Sequence, residues 1–177
     1  MRCLAGEPFV CGSNSLRPRA VRPQLKRDPL GRTVLTIRSL MPDRTVTVFF
    51  YGLFMGADAL RSKGVRPANV RPASLSGYAI RIGNRATLVR DPRSRAHGLL
   101  MDLAQPEIDS LYSGLGLEAY RPEPVVAEML DGSQIPAVCF NLVTPPSPDE
   151  FNPQYAGKLR ELARHLRLPP DYIEHIQ

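Results

Sequence analysis

Tryptophan is absent from this 177-residue chain, and cysteine occurs only three times. No apolar run approaches the roughly 18 residues that a membrane-spanning helix needs. Three cysteines, Cys3, Cys11 and Cys139, make no disulfide framework; there is no CxxC pair and no His/Cys cluster. Structural zinc is therefore not expected, and the thiols suit a reducing compartment. Cys139 sits in an alternating apolar run and reads as a small core residue. No stretch before Met41 has the apolar length of a signal peptide. These absences lead us to expect a cytoplasmic protein with no metal, no cofactor and no membrane partner.

The charge is unevenly placed. The chain carries 23 Lys+Arg and 17 Asp+Glu, a net of +6, which would ordinarily invite a nucleic-acid reading. Residues 1–44 hold 9 of those bases and 3 of the acids, which is the entire excess. Residues 45–177 keep 14 of each sign. The electrostatic case for a nucleic-acid partner thus belongs to the leader and not to the domain. Pro8, Pro18, Pro23 and Pro29 interrupt any helix in that leader, amphipathic transit helices included. Residues 1–44 are expected to be a disordered basic tail or translated sequence upstream of a start at Met41, and 45–177 a single domain.

Within the domain, Val46–Tyr51 is β-branched and aromatic and reads as a buried strand closed by Gly52. Ala57–Lys63 reads as a short helix stopped by Gly64, and Pro67–Pro72 as a loop. Gly83-Asn84-Arg85 is a hairpin turn between Ser76–Ile82 and Ala86–Val89. Asp91–Ser94 reads as a loop, and His97–Leu103 as a further strand. Gln105-Pro106-Glu107 starts a helix with Ile108, Leu111 and Tyr112 on its buried stripe. Asp131-Gly132 joins two more strands, Pro124–Leu130 and Ile135–Val143. A helix over Tyr155–Leu166 and a turn over Asp171–Ile176 close the chain. The expected class is α+β: a small, mostly antiparallel sheet or barrel with flanking helices.

Chemistry is most legible at Tyr51-Gly52-Leu53-Phe54, where a strand ends in a turn that exposes consecutive N–H groups to a carboxylate or carbonyl oxygen. Asp102, at even spacing from Leu100, reads as locally paired, and Glu123 and Glu128, five apart, as facing opposite sides of a strand. His97, His165 and His175 have no spaced partners and read as structural or solvated. Arg81, Arg85, Arg90, Arg93 and Arg95 crowd one hairpin, either as a solvated face or as a carboxylate-binding rim.

Taken in order, the Tyr51-Gly52 turn, Gly98-Leu99-Leu100-Met101-Asp102-Leu103, Leu111-Tyr112-Ser113-Gly114-Leu115-Gly116, Tyr120-Arg121-Pro122 and Leu168-Pro169-Pro170-Asp171-Tyr172-Ile173 resemble the γ-glutamylcyclotransferase-like (AIG2-like) family. The resemblance spans residues 46–176. It implies a small β-barrel whose Tyr-Gly loop amides bind a γ-glutamyl group, with Tyr51, Gly52, Leu53, Phe54 and Tyr120 at the site. It also implies transferase or lyase chemistry: a glutamate moves the proton from the α-amine, which attacks the γ-carbonyl to release 5-oxoproline. Such a step needs a proton carrier and N–H donors for the developing oxyanion. The family's glutamate position is occupied here by Leu115, which carries no proton, and Glu118 is the nearest replacement. Two expectations follow: a small acidic amide as ligand with Glu118 active, or a catalytically silent binding domain.

Overall fold

A computed structural model describes residues 45–177 except Leu115, together with the backbone of Lys26–Arg27 (β1) and Thr33–Val34 (β2). Those two pairs form a short antiparallel ladder of their own, Lys26 opposite Val34. What was expected of the rest of the leader lies outside the described residues.

Thr45–Phe50 (β3), Ala68–Ile82 (β4), Ala86–Ala104 (β5), Tyr120–Met129 (β6) and Gln134–Leu142 (β7) close into a barrel in the order β3-β5-β4-β6-β7. Every pairing is antiparallel except the closure, where β3 runs parallel to β7 at Val48 and Val138. Closure explains an unusual run in β5. Leu99, Leu100, Met101 and Leu103 are all buried, so both faces of this segment are covered. Barrel packing covers one face and flanking elements the other: after the short helix Ala57–Arg61 (α1), Gln105–Tyr112 (α2) and Pro170–Glu174 (α4) pack on β5.

The expected barrel with flanking helices is what the chain forms. Helix boundaries follow local chemistry. Glu107 Oε2 accepts the Ala104 N–H at 2.9 Å and anchors the start of α2. Asn152 Oδ1 accepts the Tyr155 N–H at 2.9 Å and caps Pro153–His165 (α3). Gly132 adopts φ +81° in the β6–β7 hairpin, a conformation glycine takes without strain. Cys139 is fully buried.

Two segments expected as loops are instead absorbed into long strands. Residues 67–72 lie mostly in β4, where Asn69 at φ +49° breaks the register between Ala68 and Arg71; Arg71 rejoins opposite Leu100 and Pro72 follows opposite Leu99. Asp91–Ser94 bulges from β5 opposite Gly77, between the pairs Ser76–Arg95 and Tyr78–Arg90. Its turn chemistry is real: Asp91 accepts from Arg93 N–H and Ser94 Oγ at 3.1 and 2.6 Å. A bulge accommodates such a turn without ending the strand. Among the described residues no helix is long and apolar enough to cross a membrane.

Candidate functional site

Where β3 ends, Tyr51 turns its phenol inward and donates to the Phe140 carbonyl at 2.6 Å, pinning the turn to β7. Gly52 follows in extended geometry, and Leu53–Met55 forms a 3-10 turn closed by Met55 N–H on the Gly52 carbonyl at 3.0 Å. The Tyr155 hydroxyl of α3 accepts the Leu53 N–H at 3.4 Å. A Cβ on Gly52 would stand 2.9 Å from that hydroxyl. Glycine here therefore admits a tyrosine to the loop backbone, which is a local reason for Tyr-Gly in this turn.

These groups wall a cavity of about 210 Å³. Its apolar lining comes from Phe49, Phe50, Leu53, Phe54, Leu117 and Phe140; its polar lining comes from Tyr51, Tyr112, Tyr120, Tyr155 and Arg85. Tyr120 donates to the Ala86 carbonyl at 2.6 Å. Tyr112, the side chain that α2 sends into the cavity, stacks on Phe140 with centroids 3.7 Å apart and rings 13° from parallel. Burial pushes the Tyr120 phenol up to about 12, with Tyr155 adding to the shift and Arg85 opposing it. Burial raises Tyr51, Tyr112 and Tyr155 as well. The phenols are thus neutral hydrogen-bonding groups at physiological pH and not proton acceptors.

Arg85 brings the cavity its charge. A Cβ on Gly116, which has φ +82°, would overlap Arg85 Nη2 and lie 2.8 Å from its Cζ. The guanidinium is seated against that bare backbone. The other arginines of the hairpin go elsewhere: Arg81 donates to the Pro146 carbonyl at 3.4 Å, Arg90 pairs with Glu123 at 2.9 Å, and Arg95 with Glu128 at 3.2 Å. Arg93 lines a separate groove beside His97 and Tyr172.

Tyr51, Gly52, Leu53, Phe54 and Tyr120 are therefore brought together on one cavity. Leu115 lies outside the described residues. Glu118 is exposed, with its Oε2 accepting the Gly116 N–H at 2.7 Å, and it is not among the residues lining the cavity. Reading the sequence missed Tyr112, Tyr155 and Phe140 as site residues. The periodicity of α2 marks Tyr112 only as buried, and Tyr155 and Phe140 reach the cavity from distant segments. Arg85 was legible only as one of five. Asp102 is paired as expected, with Thr47, Asn69 and Arg71 at 2.7, 2.8 and 3.2 Å. His97 is half-buried against the Tyr172 ring, and burial, aided by Arg95, lowers its pKa. His175 hydrogen-bonds the Asp171 carbonyl.

No protein-family model matches the chain, and no curated protein does. Solved structures do. A gamma-glutamyl cyclotransferase superposes with a TM-score of 0.64 at 18% identity, covering 75% of this chain and 86% of that one. The uncharacterized human protein loc79017 gives 0.63 at 20% identity over 75% and 86%. YkqA from Bacillus subtilis gives 0.61 at 23% identity, with 74% of this chain matching 52% of that longer one. At such identities the likeness is one of fold: this five-stranded barrel with its flanking helices has the γ-glutamylcyclotransferase-like architecture.

Proposed function

We propose that the domain binds a small acidic amide, of γ-glutamyl or related type, in the cavity beside Tyr51-Gly52. The observation that carries this reading is the convergence of Arg85 with the Tyr-Gly loop on one phenol-lined cavity. A guanidinium with no ion pair among the described residues is a counterion for a carboxylate. The Tyr112 and Tyr155 phenols, with the loop amides other than that of Leu53, supply donors for an amide carbonyl. We place this activity in the cytoplasm, where Cys139 stays reduced.

A second reading adds catalysis, with release of 5-oxoproline. It is favoured by Glu118, whose carboxylate is held on Gly116, the same glycine that seats Arg85. Titrating the purified full-length chain with γ-glutamyl amines, with their N-acyl derivatives and with the α-carboxamides of both tests the first reading. Binding of the carboxylates alone is expected, and no heat from any of them would sink the idea. Assaying 5-oxoproline in the same mixtures tests the second. Turnover abolished by Glu118→Gln supports it, and rates equal to buffer in both proteins reject it.

A further inference from the structure

The charge inside the cavity has one sign. Arg85 is the charged side chain among its described lining residues, and no carboxylate accompanies it there. A γ-glutamyl compound with a free α-amine brings two charges, a carboxylate and an ammonium. The carboxylate has a partner in Arg85. The ammonium would enter a partly dehydrated, aromatic-walled space beside a like charge, with neutral phenols for company. Burying an ammonium without an acid is costly, and proximity to a guanidinium adds repulsion. The phenols do not offset this as anions, because burial keeps them protonated. Two of them, Tyr51 and Tyr120, already spend their protons on backbone carbonyls.

The geometry points to Arg85 as the specificity-determining residue, selecting amide-bearing carboxylates that lack a free ammonium, the N-acylated amino acids. This deepens the proposed function and rests on it, because the same cavity is the binding site. The apolar walls fit the acyl or amide substituent, and the guanidinium takes the carboxylate. Gly116 is part of the device, since any side chain there displaces Arg85.

Calorimetry on the full-length protein tests this with a matched set: γ-glutamyl ethylamide, its N-acetyl derivative, and the N-acetyl derivative with the α-carboxylate converted to carboxamide. The N-acetyl acid is expected to bind at least ten-fold more tightly than the free amine. Arg85→Gln should erase that ligand's advantage over the neutral carboxamide, while Arg85→Lys retains part of it. Circular dichroism confirms that both variants are folded, and Gly116→Ala should reproduce the loss by displacing the guanidinium. Equal or tighter binding of the free amine overturns the inference and leaves the proposed function standing. An Arg85→Gln protein that keeps the N-acetyl acid's full advantage overturns the inference too, and with it Arg85 as the carboxylate's counterion in the proposed function. Failure of all three compounds to bind overturns both.

Discussion

Gly98 of β5 and Phe50 of β3 meet backbone to backbone: the Cβ that Gly98 lacks would overlap the Phe50 carbonyl oxygen. It would also stand 2.8 Å from the Phe49 ring. β3 and β5 are paired from Thr45–Ala104 to Phe50–Leu99, so the approach occurs where the strand delivers its chain to the Tyr51-Gly52 turn. Gly98→Ala adds one methyl to a place where the obstacle is backbone and cannot rotate away. The expected cost is about 3 kcal/mol, the upper part of the range for overpacked cores. Urea denaturation should show the lowered midpoint. Because the strain falls on Phe49 and Phe50, which line the cavity, ligand affinity should fall with it in the protein that remains folded.

Acid sensitivity should be concentrated at Glu123. Its Oε1 accepts from Tyr78 and Arg90 at 2.8 and 2.9 Å, and its Oε2 from Asn141 Nδ2 at 2.7 Å. Asn141 in turn accepts the Leu88 N–H at 3.2 Å, so the carboxylate links β4, β5, β6 and β7. Burial pushes this carboxyl upward, but the three donors outweigh it and the net shift is below the ordinary 4.5. With the folded pKa depressed, the stabilisation is present above 4.5 and is lost as pH falls through the folded value. Glu123→Gln should cost about 1–3 kcal/mol at neutral pH, as expected for charged hydrogen bonds. Stability measured from pH 6 to pH 2 should also fall less steeply in the variant.

These cases show what was legible in the sequence and what was not. The Tyr51-Gly52 turn, both hairpin turns and the α2 start could be read because their signals lie within a few consecutive residues. The long strands β4 and β5 could not, because Pro72 and the Asp91–Ser94 turn look like chain breaks until a partner strand is present to pair Pro72 with Leu99 and to absorb the turn as a register shift. The cavity was half legible. Its loop and Tyr120 sit in short motifs, whereas Tyr155 and Phe140 arrive from segments whose own periodicity says only that they face inward. Arg85 was hidden among five arginines, since nothing local marks the one whose neighbour in space is a bare glycine.

Cys139 should behave as an inert thiol in the native protein. It is fully buried on β7, and burial, with Glu123 nearby, pushes its pKa from 9.0 up to about 12. Thiolate is the reactive form, so alkylation at pH 8 should be negligible until the barrel opens. In a Cys3→Ser, Cys11→Ser background, iodoacetamide labelling should rise along the urea unfolding curve. Rapid labelling in buffer alone would contradict the closed β6–β7 packing. The raised folded pKa also sets a sign. The thiol's contribution to stability is intact below pH 9 and is lost as pH rises through about 12.

Tyr51 and Tyr155 both present phenols to the cavity, yet removing their hydroxyls should have different consequences. Tyr51 spends its proton on the buried Phe140 carbonyl at 2.6 Å. Tyr51→Phe leaves that acceptor without its phenol donor, which should cost about 1–3 kcal/mol in stability. Among the described residues Tyr155 makes only a long contact, accepting the Leu53 N–H at 3.4 Å, which leaves its proton to point at a ligand. Tyr155→Phe should leave the urea midpoint nearly unchanged and weaken binding of the acidic amide by about ten-fold, the worth of one hydrogen bond in a partly dehydrated site. Measuring denaturation and calorimetry on both variants separates the roles. A Tyr155→Phe protein that binds as the parent does would remove this hydroxyl from the site, leaving recognition to Arg85 and the loop amides.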